Sequence, residues 1–167
     1  STFGVQESCW CNYTKYKSLQ MDTNREIVAN FYKSIVEGDM DLYGSLIHDD
    51  VELCMPFVEG VLSGTYFGKA RLVQEIFPTV VSRLDVEKFT FCKNYKIMSA
   101  DEKCVATIFE AEGVTKNGER YDQIYAHFFK FKAGQIIQLI EFNDSSLADR
   151  VLWKDTPRLN SDSEFTY

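Results

Sequence analysis

Hydrophobic and polar positions alternate most regularly over residues 104–144, in three segments separated by two turns that contain glycine. A period of two residues is typical of β-strands, because successive side chains point to opposite faces of a sheet. The pattern therefore predicts a meander of three antiparallel strands. The rest of the chain is expected to pack around this ribbon.

The first turn contains Asn117-Gly118, the strongest hairpin signal in the sequence. A two-residue type I′ turn needs positive φ at both positions, and Asn and Gly adopt it most easily. Such a turn would pair Lys116 with Glu119. Counting outward predicts three further cross-strand pairs: Tyr125 with Glu110, His127 with Ile108, and Gln123 with Glu112.

The second turn contains Lys132-Ala133-Gly134, which suits a three-residue loop that ends with glycine in the left-handed region. This loop predicts the pairs Phe131 with Gln135, Tyr125 with Glu141, and His127 with Leu139. A two-residue loop would turn Glu141 to the other face, because side-chain direction alternates along a strand. The loop length therefore decides whether Glu141 and His127 share a face.

Both faces of the predicted ribbon are largely apolar, whereas a sheet with one solvated face would be clearly polar on that side. We therefore expect one face to line a cavity and the convex face to contact a second subunit in a homodimer. The predicted cavity face carries Glu110, Glu112, Tyr125, His127, Phe129, Leu139, Glu141 and Asn143.

Helical spacing precedes the ribbon. Thr23 and Glu26 form a capping-box pattern that predicts a first helix over residues 23–37, and Asp39 caps a second that ends before His48. Further predicted elements are a strand over 51–55, a loop over 57–67, a helix over 68–76, a strand over 84–98 and a helix over 145–153. The fold class is α+β: a strongly curved antiparallel sheet wrapped around three N-terminal helices, a cone with an internal pocket.

Residues 21–153 are expected to form this domain, preceded by an irregular leader over 1–20 and followed by a polar tail over 154–167. The net charge of −7 and the pI of 4.9 disfavour nucleic acid or an anionic membrane as the main partner. Residues 1–20 do not have the pattern of a signal peptide, so a cytoplasmic location is predicted. The five cysteines are interpreted as buried thiols, with a metal or redox pair at Cys9 and Cys11 as the less favoured alternative.

A series of short motifs runs through the predicted domain in a fixed order: Asn24-Arg25-Glu26-Ile27-Val28, Glu37-Gly38-Asp39-Met40-Asp41, His48-Asp49-Asp50-Val51-Glu52, Gly64-Thr65-Tyr66-Phe67-Gly68, Tyr125-Ala126-His127-Phe128-Phe129 and Glu141-Phe142-Asn143-Asp144. The series resembles the SnoaL-like branch of the nuclear transport factor 2-like superfamily. The resemblance implies an α+β cone that is commonly a homodimer. The superfamily includes ketosteroid isomerase, polyketide cyclases and limonene epoxide hydrolase, so the fold does not fix one activity.

Some functional residues of the superfamily have a chemically similar residue at the matching position of this sequence, and others do not. The general-base aspartate of ketosteroid isomerase corresponds to Met55, and the tyrosine of its first helix corresponds to Phe31. The buried acid that binds the oxyanion in that enzyme aligns with His127. Glu141 aligns with an acidic residue on the last strand of phenazine-type relatives.

Glu141 in an apolar cavity would be a stronger base and would remove a proton next to a carbonyl, with His127 or Tyr125 donating to the developing enolate oxygen. Alternatively, the pair would protonate an epoxide or alkene and guide a ring closure. Neither reaction needs a cofactor or a metal, and none is predicted. The predicted substrate contacts are Glu110, Phe31, Met55, Phe129, Leu139 and Asn143.

A non-catalytic dimer that binds an apolar ligand or acts as a scaffold is the alternative function. A histidine on a sheet is often a hydrogen-bonded core residue, and a glutamate near a strand end is often simply solvated. A sealed cone would favour this alternative. An open cone with Glu141 and His127 close to a shared point would favour an isomerase, cyclase or hydrolase acting on a small apolar metabolite.

Overall fold

The computed structural model describes residues 4–165, and their side chains from residue 13 onward. Helices α1 (Gly4–Glu37) and α2 (Met40–Leu46) come first. Helix α3 (residues 69–81) runs through Lys69–Arg71, a π-helical turn over Leu72–Ile76, and Phe77–Val81; α4 (residues 145–152) runs through Ser145–Leu147 and a π-helical turn over Ala148–Leu152. The strands are β1 (Ile47–Met55), β2 (Gly64–Phe67), β3 (Thr90–Ala100), β4 (Cys104–Glu112), β5 (Gln123–Lys132) and β6 (Gln135–Asn143).

The six strands form one curved, unclosed sheet in the order β2-β1-β6-β5-β4-β3. Neighbouring strands are antiparallel except β1 and β6, which pair in parallel. Strand β3 contains register shifts and positive φ at Cys92 and Asn94, and such bulges increase the twist of a sheet. The predicted α+β class and the curved sheet around helices are confirmed.

Helix α1 fills the concave side of the sheet. Its buried positions Val28, Phe31 and Tyr32 recur at helical spacing and belong to the main core cluster together with Phe109 and Phe129 of the sheet. Phe31 packs edge-on against Phe129, with ring centroids 5.3 Å apart. The concave face is therefore a true core near α1, and it opens into a cavity farther along.

The first helix begins much earlier than predicted. It starts at Gly4, so the expected irregular leader is helical from that residue onward. Thr23 is not an N-cap, because its hydroxyl donates to the Leu19 carbonyl at 2.9 Å, a bond typical of a helix interior. No glycine or proline occurs between Gly4 and Gly38 to end the helix. The side chains of Cys9 and Cys11 lie outside the described residues.

The predicted register of the first hairpin is wrong by one residue. The Gly118 N–H donates to the Thr115 carbonyl and the Thr115 N–H to the Glu119 carbonyl, and Gly118 has φ of +81°. Residues 116–118 therefore form a three-residue loop. The actual pairs are Tyr125 with Phe109, His127 with Thr107, and Gln123 with Ala111. The loop also has a tertiary contact that the local turn pattern does not predict: the Lys116 N–H donates to the Arg83 carbonyl, just beyond the end of α3.

This correction moves three side chains to the opposite face. Ile108, Glu110 and Glu112 are exposed on the convex side of the sheet, so the predicted concave position of both glutamates is wrong, and so is the predicted substrate contact of Glu110. Glu110 accepts a hydrogen bond from Asn94 Nδ2 at 3.0 Å, far from any concave position. Phe109 and Thr107 take the concave positions in their place.

The second turn also differs from the prediction. Lys132 pairs with Gln135 around a two-residue loop, Ala133-Gly134, whose φ values of +51° and +74° match a type I′ turn. By itself this loop would turn Glu141 outward. A register shift beyond Phe131 inserts one extra residue into β6, and the final pairs are His127 with Glu141 and Tyr125 with Asn143. Glu141 therefore shares the concave face with His127.

The expected loop over 57–67 contains an edge strand. Strand β2 pairs with β1, and the chain after α4 returns to cover its free edge. The Thr65 N–H donates to the Ser163 carbonyl at 2.7 Å, and the Asp162 N–H donates to the Thr65 carbonyl at 2.9 Å. These bonds satisfy backbone groups that an open sheet edge would leave exposed. None of the described helices is apolar over a stretch long enough to cross a bilayer.

Candidate functional site

A cavity of 590 Å³ opens on the concave side of the sheet. Its walls come from the end of α1, from α2 and α3, and from the concave faces of β1, β5 and β6, with the segments around residues 86–91 and 152–153 closing the side. The volume falls within the range of small-molecule sites. The π-helical turn of α3 contributes Leu72 and Ile76 to the lining.

The lining is mostly apolar and rich in aromatic rings. Eight aromatic side chains contribute: Phe31, Tyr43 and Phe77 from the helices, and Phe89, Phe91, Tyr121, Tyr125 and Trp153 from the other walls. The polar groups in this wall are few, and they are concentrated on β5 and β6. An apolar cavity with a small number of convergent polar groups is typical of a ligand site.

Glu141 and His127 lie together in this wall. Glu141 Oε2 is 2.7 Å from His127 Nε2, and their side chains are 14% and 2% exposed. The second oxygen of Glu141, Oε1, has no hydrogen-bond partner among the described residues, so it is the oxygen able to contact a ligand. Adjacent strands create the pair, because Glu141 and His127 are direct cross-strand neighbours.

A buried hydrogen-bond chain continues behind His127. The Tyr32 hydroxyl is 3.0 Å from His127 Nδ1 and 2.5 Å from Thr107 Oγ1. Burial raises the pKa of Tyr32, so its hydroxyl stays protonated and can donate. The chain is complete when Tyr32 donates to Nδ1, Nε2–H donates to Glu141, and the Tyr32 oxygen accepts from Thr107. Both ring nitrogens of His127 then have protein partners.

A second polar group lies beside this pair. The hydroxyls of Tyr125 and Tyr121 are 3.3 Å apart, and both rings line the cavity. Burial raises the pKa of each of these phenols, which keeps them protonated as hydrogen-bond donors. Asn143, opposite Tyr125, has a buried Oδ1 atom without a hydrogen-bond partner among the described residues. A buried polar atom of this kind gains energy from any donor that a ligand supplies.

The predicted site residues are therefore distributed as follows. The structure brings Glu141, His127, Tyr125, Asn143, Leu139, Phe31 and Met55 into one cavity wall. Phe129 is fully buried beneath it and packs against His127 rather than lining the cavity. Glu110 is on the opposite face. Among the residues with described side chains, no group of three His, Cys, Asp or Glu could hold a metal ion.

Sequence reasoning missed Tyr32, Thr107, Tyr121 and Trp153. Tyr32 follows Val28 by four residues on the buried stripe of α1, and that spacing could have identified it. Thr107 would have been found with a three-residue first turn, because it then pairs with His127. For Tyr121 and Trp153, which lie outside the regular strands and helices, the alternation pattern contains no signal.

Replacing Tyr32 by phenylalanine should lower the free energy of unfolding by about 2 kcal/mol, because His127 Nδ1 and Thr107 Oγ1 both lose a buried partner. Urea denaturation measures the change. Adding Thr107→Val should cost less in the Tyr32→Phe background than in the wild type, since the two hydroxyls are coupled. Tyr16→Phe, at an exposed tyrosine of α1, is the matched control and should change little. If Thr107→Val lowered the free energy of unfolding equally in both backgrounds, the hydrogen-bond chain through Tyr32 would be contradicted.

No protein-family model matches the chain, and no curated protein sequence does so either. Solved structures do match. A nuclear transport factor 2-like protein from Burkholderia xenovorans superposes with a TM-score of 0.66 at 18% identity, over 79% of this chain and 97% of that chain. The chain has the nuclear transport factor 2-like fold.

Two further solved structures share the nuclear transport factor 2-like fold with this chain. A candidate polyketide cyclase from Pseudomonas putida superposes with a TM-score of 0.61 at 20% identity, over 76% of this chain and 96% of that chain. A candidate isomerase from Bacillus subtilis has a TM-score of 0.65 at 16% identity, over 84% and 99% of the two chains. These likenesses confirm the predicted fold.

Proposed function

We propose that this protein is a cofactor-independent isomerase or cyclase that transfers a proton on a small apolar metabolite, such as a polyketide, terpenoid or steroid-like compound. One observation carries the proposal: the Glu141 carboxylate, held by His127 at 2.7 Å, lies in the wall of an otherwise apolar cavity of 590 Å³. The names of the cyclase and isomerase candidates with this fold support the same general class of reaction.

In the proposed mechanism, Glu141 Oε1 removes a proton from a carbon next to a carbonyl and returns it elsewhere on the molecule. The Tyr125 hydroxyl donates a hydrogen bond to the developing enolate oxygen. His127 is a positioning residue, since both of its nitrogens have protein partners and it acts through the Glu141 carboxylate. This role differs from direct donation by His127, the first of the two donors considered from sequence. In the alternative reaction, the protonated pair of Glu141 and His127 would donate a proton to an epoxide or alkene.

Proton exchange in D₂O tests the function across several classes of compound. The protein is incubated with panels of enolisable ketones, aromatic polyketides and terpenoid epoxides, and mass spectrometry detects new C–D bonds or ring-closed products. We expect one panel to show protein-dependent change. Tight binding of a panel member, detected by calorimetry, with neither exchange nor rearrangement in any panel would instead support the non-catalytic binder.

We also propose that the protein forms a homodimer through the convex face of the sheet. Ile108, Ile124, Phe128 and Phe142 are exposed there and form a patch in which the Phe128 and Phe142 rings pack 6.0 Å apart. Glu110 and Lys130 are exposed on the same face, and opposite charges can pair across a two-fold axis.

The thiols of Cys54, Cys92 and Cys104 are free, which fits the proposed cytoplasmic location.

Ile124→Lys is expected to convert the dimer to a monomer, because Ile124 is 59% exposed on this face and a buried lysine at a two-fold interface would meet its own copy. Light scattering coupled to size exclusion measures the mass. Leu19→Lys, at an exposed position of α1, is the control and should leave the mass unchanged. A wild-type protein that is monomeric at micromolar concentration would rule out this interface.

A further inference from the structure

The charge of the cavity wall is unbalanced. Among the described residues that line it, none is lysine or arginine, and the carboxylates of Glu141 and Glu37 are present. Glu37 lies at the exposed end of α1, whereas Glu141 lies deep in the wall. The guanidinium of Arg83 is 6.0 Å from the Trp153 ring, but Arg83 itself does not line the cavity.

The negative charge of Glu141 extends over the buried phenols of the wall. Burial is the main cause that raises the pKa of Tyr43 and Tyr125, which both line the cavity, and the nearby Glu141 charge raises it further in both cases. A phenolate at either of these positions would therefore be opposed by both effects. An anionic ligand in the same space would meet the same opposition, because it would lose its hydration and gain no cationic partner.

The aromatic rings of the cavity, like the Glu141 carboxylate, favour a cationic ligand over an anionic one. The face of an aromatic ring carries partial negative charge and attracts cations, most strongly where water is excluded. Phe31, Tyr43, Phe91 and Tyr125 bring such rings to the same cavity that contains the Glu141 carboxylate. A positive charge in this cavity would thus lie near both a carboxylate and several aromatic rings.

We propose that the cavity selects its ligands by charge: it binds ring-containing molecules that are neutral or carry an ammonium group, and it rejects anions. The substrate class is therefore an uncharged or amine-bearing polycyclic or aromatic compound rather than a free carboxylic acid, a phosphate or a coenzyme A thioester. This inference rests on the proposed function only in placing the reacting part of the ligand beside Glu141. Two reactions were described above: removal of a proton to form an enolate, and protonation of an epoxide or alkene. The inference also predicts that the cavity stabilises the second reaction better, because that reaction passes through a cation-like state.

Two matched pairs of probes test the inference by isothermal titration calorimetry on the intact protein. The first pair is (2-naphthylmethyl)trimethylammonium and its uncharged isostere 2-neopentylnaphthalene. The second is 2-naphthylacetate and 2-naphthylacetamide. We expect the ammonium to bind about tenfold more tightly than its isostere, and the acetate at least about tenfold more weakly than the amide. Acetate binding equal to or tighter than amide binding, or no binding by any probe, would overturn the inference.

Variants locate the source of the selectivity. Glu141→Gln should reduce the preference for the ammonium to about twofold and leave the affinity for 2-neopentylnaphthalene unchanged. Glu37→Gln, at the open end of the cavity, is the control and should retain most of the preference. A preference that survives Glu141→Gln in full would contradict the assignment to this carboxylate. Because binding is measured without turnover, a protein that selects by charge but catalyses nothing would refute the proposed function alone.

Discussion

Glu141→Gln should lower the rate of protein-dependent proton exchange by at least about 100-fold, while the dissociation constant for an uncharged ligand changes little. Glutamine has the shape of glutamate, and its side-chain oxygen can still accept the hydrogen bond from His127 Nε2–H. The amide cannot accept a proton from carbon, so the loss falls on the proton-transfer step. Deuterium uptake by the responsive compound, measured at saturating ligand, gives the rate.

Two matched variants make this result specific. Glu37→Gln changes the other carboxylate of the cavity wall, and Glu110→Gln changes a glutamate on the convex face. Both should exchange protons within about twofold of the wild-type rate. His127→Asn should fall between these controls and Glu141→Gln, because it removes the partner of the carboxylate but leaves the carboxylate itself. If Glu141→Gln exchanged at the wild-type rate, Glu141 would not be the base.

Gly113→Ala is expected to lower the free energy of unfolding by about 3 kcal/mol, the largest effect on stability that we predict. Gly113 has φ of +155°, and an added Cβ would lie 2.4 Å from the Lys88 carbonyl oxygen and 2.7 Å from the Phe89 Cα. These atoms belong to the backbone and cannot move without displacing the segment that carries Phe89 into the cavity wall. For a chain of 167 residues the melting temperature should fall by roughly 6–12 °C.

Substitutions at two other glycines distinguish steric overlap of the added Cβ from the strain of a positive φ. Gly118 has φ of +81° and open space where a Cβ would lie, so Gly118→Ala should cost only about 1 kcal/mol. Gly44 lies within α2, also with open space around it, and Gly44→Ala should stabilise the protein by about 0.5–1 kcal/mol. Thermal melts of the three variants give the order. A Gly113→Ala variant no less stable than Gly118→Ala would show that the segment at residues 88–89 can move aside.

The location of Glu141 illustrates how a correct face can follow from a wrong register. The three-residue loop predicted at Lys132-Ala133-Gly134 would have placed Glu141 on the concave side, and the actual two-residue loop reaches the same side only because β6 contains an extra residue near Phe131. The first hairpin had no such compensation. Its one-residue error moved Glu110 out of the predicted pocket and left Thr107 unnoticed.

The sequence by itself determined the fold class, the order of the main elements and the apolar character of both sheet faces. These properties depend on periodicity and on local breakers such as Gly38, which act within a few residues of the chain. Only the tertiary structure decided the register of the strands, the length of α1 and the partners of His127. A shift of one residue turns every side chain of a strand to the other face, so the three-residue loop at residues 116–118 and the extra residue in β6 decided which side chains meet in the cavity.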